Sequence, residues 1–265
     1  MSVPIAVTIA GSDSGGGAGV QADLKTFSAL GVYGASVIAA LTAQNTTGVF
    51  AIHEVPADFI AAQIDAVFSD LDVGAVKIGM LGSAAAIHAV AAGLGRHRAR
   101  NVVLDPVLAA TSGESLLSAG AIDALRKLIA RADVLTPNLA EAAALLDASV
   151  AQDEGEMRIQ ARQLLALGAK AVLLKGGHGS GPQSVDVLVE AAGHARFAAP
   201  RIATRNTHGT GCTLASAIAA GLAKGETLGE AVRDAKTYIG SAIAAADRLG
   251  VGSGRGPVHH FFKWW

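Results

Sequence analysis

Short runs of β-branched and other apolar residues alternate along this chain with longer stretches whose apolar positions recur three and four residues apart. The pattern predicts strands over 3–10, 34–40, 75–80, 101–104, 133–135 and 171–175. It predicts helices over 18–30, 57–69, 84–94, 118–130, 138–146 and 156–167. Such alternation implies a mostly parallel central sheet with helices on both faces. Residues 184–189 and 195–199, joined by a turn at Gly193, predict a small antiparallel hairpin at one edge. Two alanine-rich helices, 211–223 and 227–249, close the chain. No linker, repeat or charged tail divides residues 1–265, so one α/β domain is expected.

Composition narrows the partners. Hydrophobic residues make up 51% of the chain and charged residues 16%, ample for a large core and contrary to disorder. The formal net charge is −1 and no basic stripe with interleaved aromatics occurs, which argues against nucleic acid. Apolar runs are broken by Gly, Asp or Lys short of a membrane span, so no membrane partner is expected. No charged segment precedes an apolar run at Met1, and a cytoplasmic protein is expected. The single cysteine excludes an internal disulfide or a cysteine-rich metal site.

In sheets of this kind ligands bind beyond the carboxyl ends of the strands. Here the polar and glycine-rich residues gather after the predicted strands. The most informative run is Asn206-Thr207-His208-Gly209-Thr210-Gly211-Cys212, which leads straight into an apolar helix. Amides at a helix N-terminus, helped by the helix dipole, suit an anion, and the lone thiol sits at that mouth, where a thiolate is favoured. An anion hole beside a titratable group is what phosphoryl transfer to an alcohol needs. The alternative is an N-cap with Cys212 as a small buried hydrophobe.

Other motifs along the chain also admit two readings. Gly17-Ala18-Gly19-Val20-Gln21-Ala22 matches G-x-G-x-x-A after a strand, but no acid ends the second strand to hold a ribose. No G-x-x-x-x-G-K-[ST] string exists, which excludes a P-loop. Asp23 stands in the first helical turn, with Asp13 and Ser14 on the same rim. Gln44 and Asn45 follow the second strand, and a carboxamide suits an aminopyrimidine edge or ties down its own turn. Asp105-Pro106 ends a Val-rich strand, placed for Mg²⁺ held through water or for a turn. Asn138 and Glu141 form either a ligand pair or a capping box. Lys175, at a strand end beside Gly176-Gly177-His178, reaches a phosphate as a point charge or is simply solvated. His178 and His208 are expected to be bystanders, and the 259–265 tail to serve packing or a subunit contact.

Assembled, these strings resemble the hydroxymethylpyrimidine/phosphomethylpyrimidine kinases of thiamine biosynthesis, within the ribokinase superfamily. The similarity runs almost end to end, through residues 10–19, 21–27, 31–34, 41–45, 76–80, 104–107, 136–138, 175–178 and 206–212. The resemblance implies a ribokinase-like three-layer sandwich, often a homodimer, that uses Mg-ATP to phosphorylate the pyrimidine alcohol and then its monophosphate. A pyridoxal or pyridoxine kinase on the same scaffold is the alternative. Carried over, Gln44 would bond the aminopyrimidine, and Gly11, Ala18, Asp23, Met80 and Val107 would line its pocket. Gly209, Thr210, Gly211 and Cys212 would form the anion hole, with Cys212 as thiolate taking the alcohol proton. Asp105 and Glu141 would serve Mg²⁺, and Lys175, Thr207 and Asn138 the ATP phosphates. Cys212 stands where most of the superfamily carries Asp, and Leu108 and Thr111 where many members have Met and Lys.

Overall fold

The strands that the pattern predicts are buried on both faces, which explains why they read as apolar runs without alternation. The structure is a computed structural model that describes residues 3–109, 116–118, 120–177 and 181–265. Its first half contains β1 (Ile5–Gly11), α1 (Gly19–Ala29), β2 (Tyr33–Asn45), β3 (Gly48–Glu54), α2 (Ala57–Asp70), β4 (Ala75–Ile78) and α3 (Ala84–Arg96). Then follow β5 (Val102–Leu104), α4 (Ala121–Ile129), β6 (Val134–Leu135), α5 (Leu139–Leu146), α6 (Glu154–Leu165) and β7 (Ala171–Lys175). The chain finishes with β8 (Gln183–Glu190), β9 (Gly193–Pro200), α7 (Thr210–Ala223) and α8 (Leu228–Ala244).

The strands described form one sheet in the order β3-β2-β1-β4-β5-β6-β7-β8-β9. Pairing is parallel from β2 to β7 and antiparallel at both ends. One core layer packs α2 to α6 against one face, with Ile60, Ile64, Ile87, Leu128 and Leu164 at its centre. The other packs α1, α7 and α8 through Phe27, Leu214, Ile218, Val232 and Ile239. The expected three-layer α/β sandwich with its hairpin at β8–β9 is therefore present.

A second hairpin, β2–β3, was not expected. β2 pairs with β1 as far as Ala40 and beyond that point only with β3, which is largely exposed, so the β3 side chains show no one-sided burial. β2 runs to Asn45, beyond the predicted end at residue 40, and Gln44 lies within it. At the C-terminal end, α8 stops at Ala244 and passes into a 3-10 turn at Ala246–Arg248, where one continuous helix was expected. No helix among the described residues is long and apolar enough to cross a membrane.

Candidate active site

From β1 the chain moves outward to β2 on one side, while β4 lies on the other. This reversal leaves a crevice beyond the carboxyl ends of β1 and β4, where open α/β sheets bind ligands. The first glycine loop enters it, but its amides are already occupied. The Asp13 carboxylate accepts from the N–H groups of Gly15 at 2.8 Å, Gly17 at 3.0 Å and Ala18 at 2.8 Å. Burial raises the pKa of this carboxyl, but the bond and charge of His208 and the amides of Ala18 and Gly15 outweigh it and hold the pKa below its ordinary value. A nest filled by its own aspartate has no room for a pyrophosphate, so the dinucleotide reading falls. His208, expected to be a bystander, places Nε2 2.9 Å from Asp13 Oδ2 and so ties the first loop to the anion loop.

The anion loop turns into α7 at Gly209, whose φ is +79°. A Cβ there would lie 1.9 Å from the Gly17 carbonyl oxygen, so only glycine fits. No side chain caps this helix. The Thr210 amide is taken by the Thr207 carbonyl at 3.2 Å, as is the Thr210 hydroxyl at 2.7 Å. The amides of Gly209, Gly211 and Cys212 have no acceptor among the described residues. Thr210 therefore shapes the turn and does not donate from its backbone.

Three successive strand ends meet this helix tip. Asp105 follows β5, Thr136 follows β6 and Lys175 ends β7. Lys175 Nζ lies 2.7 Å from Asp105 Oδ1, which also accepts from Thr136 Oγ1 at 3.1 Å. An added Cβ at Gly211 would sit 3.3 Å from Lys175 Nζ and 3.5 Å from Asp105 Oδ2, so ammonium and carboxylate border the anion hole. Asn138 and Glu141 form a capping box: Asn138 N donates to Glu141 Oε2 at 2.7 Å and Glu141 N to Asn138 Oδ1 at 2.9 Å. Burial pushes the Glu141 carboxyl up to about 7, with Lys175 drawing it down and Asp105 pushing it up. The capping role is real, and it leaves Glu141 Oε1 and Asn138 Nδ2 without a partner among the described residues.

Cys212 requires a correction. Burial raises its thiol to about 11, and the carboxylates of Asp23 and Asp105 add to that rise. The Lys77 ammonium and the Gly19 amide act the other way without prevailing. The helix terminus alone suggested a thiolate; the protein packed around it makes the neutral thiol the resting form. Asp23 lies inside the molecule below the rim, fully buried. It accepts from Thr8 Oγ1 at 2.6 Å, Lys77 Nζ at 2.8 Å and Ser216 Oγ at 2.7 Å. Lys77 is equally buried; burial alone would lower its pKa, but the Asp23 carboxylate outweighs this and the ammonium is held above its ordinary value. Sequence reasoning did not single out Lys77. Its signal was a lysine between Val76 and Ile78 in a strand with no exposed face.

Gln44 borders a cleft of about 540 Å³ between the β2–β3 hairpin, the loop at Arg205 and His208, and residues 253–255. Its backbone N–H donates to Ser14 Oγ at 2.9 Å, and Thr42 Oγ1 lies 3.1 Å from its Oε1. Met80 is buried against Gly11, where an added Cβ would come within 2.7 Å of its Sδ. Ala18 and Val107 are half-buried at the same rim. Leu108 packs against the larger core, whereas Thr111 and His178 lie outside the described residues.

Comparisons with known proteins identify the family of the chain. The family model described as phosphomethylpyrimidine kinase matches residues 13–259. A hydroxymethylpyrimidine/phosphomethylpyrimidine kinase of Rhizobium meliloti (strain 1021) is 60% identical over 98% of each chain. The crystal structure of a Clostridium difficile phosphomethylpyrimidine kinase superposes with a TM-score of 0.81 at 43% identity, covering 91% of this chain and all of that one. A Bacillus subtilis pyridoxal kinase solved with ADP superposes with a TM-score of 0.89 at 35% identity over 98% of both chains. The chain belongs to the phosphomethylpyrimidine kinase family.

Proposed function

We propose that this protein transfers the γ-phosphoryl group of ATP to the hydroxymethyl oxygen of 4-amino-5-hydroxymethyl-2-methylpyrimidine, and then to the resulting monophosphate. The observation that carries this reading is the uncapped tip of α7, bordered by Lys175 and Asp105 at the strand ends. Amides and an ammonium that converge on one point hold the charge that develops on a migrating phosphoryl group.

Each residue has a share in that work. The Gly209, Gly211 and Cys212 amides grip phosphoryl oxygens, and Lys175 neutralises them from the side. Thr207 and Asn138 Nδ2 are placed for the remaining ATP phosphates. Gln44, with Gly11, Ala18, Met80 and Val107, receives the ring above the floor that Asp23 supports. Thr42 carries a single hydroxyl hydrogen and already donates to Ser12 O at 2.8 Å. Turning the Gln44 carboxamide over leaves its heavy atoms in place, lets its NH₂ donate to Thr42 and presents an acceptor to an exocyclic amine. The neutral Cys212 thiol orients the hydroxyl more than it deprotonates it. A loose transition state asks little of a base, so positioning and electrostatics supply most of the rate.

The residues also fit Mg²⁺. Asp105 Oδ2 and Glu141 Oε1 have no partner among the described residues. No group of three such ligands exists among those residues, as suits an ion completed by phosphate and water. When bound, the ion supplies neutralisation of the phosphate charge.

A coupled ADP-release assay with Mg-ATP tests the function. Turnover on the pyrimidine alcohol and on its monophosphate is expected to exceed turnover on pyridoxal. Faster reaction with pyridoxal, or none with the pyrimidine, would overturn the proposal.

A further inference from the structure

The segment after α8 does more than end the chain. Gly254 N donates to Thr46 Oγ1 at 3.1 Å and Arg255 N to Thr46 O at 2.9 Å, so the segment grips the turn just past Gln44. A Cβ on Gly254 would approach Thr46 O to 2.0 Å, which requires glycine for this contact. Gly256 N then donates to Asn206 Oδ1 at 3.0 Å. His208 N donates to Gly256 O at 3.1 Å, and Val258 N to His208 O at 3.3 Å, forming a short parallel bridge to the anion loop. Finally His260 Nε2 lies 3.0 Å from Thr213 Oγ1, one residue beyond Cys212 in the first turn of α7.

The far side of the segment is fixed to the body. Val258 is fully buried in the core of α1, α7 and α8. His259 N donates to Ala242 O at 3.0 Å, and Tyr238 OH to His260 O at 2.7 Å. Burial, then the charges of Lys25 and His259, keep His260 neutral with a pKa of about 3, so its contact with Thr213 persists at working pH.

We propose that residues 254–260 act as a positioning strap that sets the anion hole against the Gln44 hairpin, with His260 holding the first turn of α7 through Thr213. The strap joins the two halves of the site that substrate and phosphate must occupy together, and it rests on the reading given under the proposed function. An error of even 1 Å between such halves costs about a hundredfold in rate. Because His260 touches Thr213 and not the ligands, it is a positioning residue.

The test compares His260→Ala, His260→Gln and Gly254→Ala with an Ile64→Val control, which loosens the core on the opposite sheet face. His260→Ala is expected to lower kcat at least tenfold with KM for the pyrimidine within twofold, and to speed alkylation of Cys212 by iodoacetamide at least threefold. His260→Gln, which keeps a hydrogen-bonding group, should recover most of both. Gly254→Ala should raise KM for the pyrimidine at least fivefold. Wild-type values in folded His260→Ala and Gly254→Ala, equal losses in the control, or no recovery with His260→Gln would overturn the strap. Alkylation needs no turnover, so it decides the matter even if the assigned substrate is wrong.

Discussion

At the scale of single residues, neighbours decide what each functional group does. Cys212 occupies a helix N-terminus, which favours a thiolate, yet burial holds its thiol near 11. Its alkylation rate in the ligand-free protein should therefore still be climbing at pH 10, and a plateau by pH 8 would contradict this. The sign for stability follows from the same shift. Folding raises the pKa from 9.0 to about 11, so the thiol's contribution is complete below pH 9 and lost as pH rises towards 11. Cys212→Ala should keep kcat within about tenfold, less than the 10²–10⁴ that a positioned base contributes. A thousandfold loss would restore the base assignment. Gly209 is the opposite case. Gly209→Ala forces a side chain onto the Gly17 carbonyl at a positive φ and should lower kcat about a hundredfold, as loss of an oxyanion donor does. Steady-state kinetics on the folded variant measures it, and wild-type turnover would remove these amides from the site.

Between elements, the decisive link is the buried pair Lys77–Asp23. Thr8 from β1, Asp23 from α1, Lys77 from β4 and Ser216 from α7 meet there without solvent. These are the elements whose ends build the crevice, so the cluster fixes their relative heights. Removing one partner of a buried ion pair leaves a charge uncompensated and costs about 3–5 kcal/mol. Lys77→Met should therefore destabilise by about that amount, measured by urea unfolding, and adding Asp23→Leu should regain much of it. A single variant within about 1 kcal/mol of wild type would show that the pair is not needed. In the sequence the cluster was invisible as a unit, since its four members are scattered from Thr8 to Ser216. Only Asp23 was singled out, and for a rim position it does not occupy.

For the molecule as a whole, the β2–β3 hairpin is the feature that stands apart. β3 is an edge strand, and Phe50 is 69% and Ile52 41% exposed on it. An apolar edge strand left open invites pairing with another chain. We expect a second copy of this chain to cover it, giving a homodimer. Sedimentation should give twice the chain mass, and Phe50→Asp with Ile52→Asp should give the monomer. A wild-type monomer at micromolar concentration would refute this. β3 escaped the sequence reading because it lacks the one-sided burial that produces alternation.

By itself the sequence determined the layered α/β order, because strands buried on both faces must be apolar and covering helices must be amphipathic. It also determined the chemical inventory of the rim, because glycine loops and strand-end polar residues are local signals. Which amides are available was decided only by the tertiary structure. Asp13 fills the first loop and Thr207 takes the Thr210 amide, while the tip of α7 remains open. The protonation of Cys212, the interior place of Asp23 and the partnership of His208 with Asp13 were likewise settled in three dimensions. Burial and partner choice depend on residues far apart along the chain, and no local pattern carries that information.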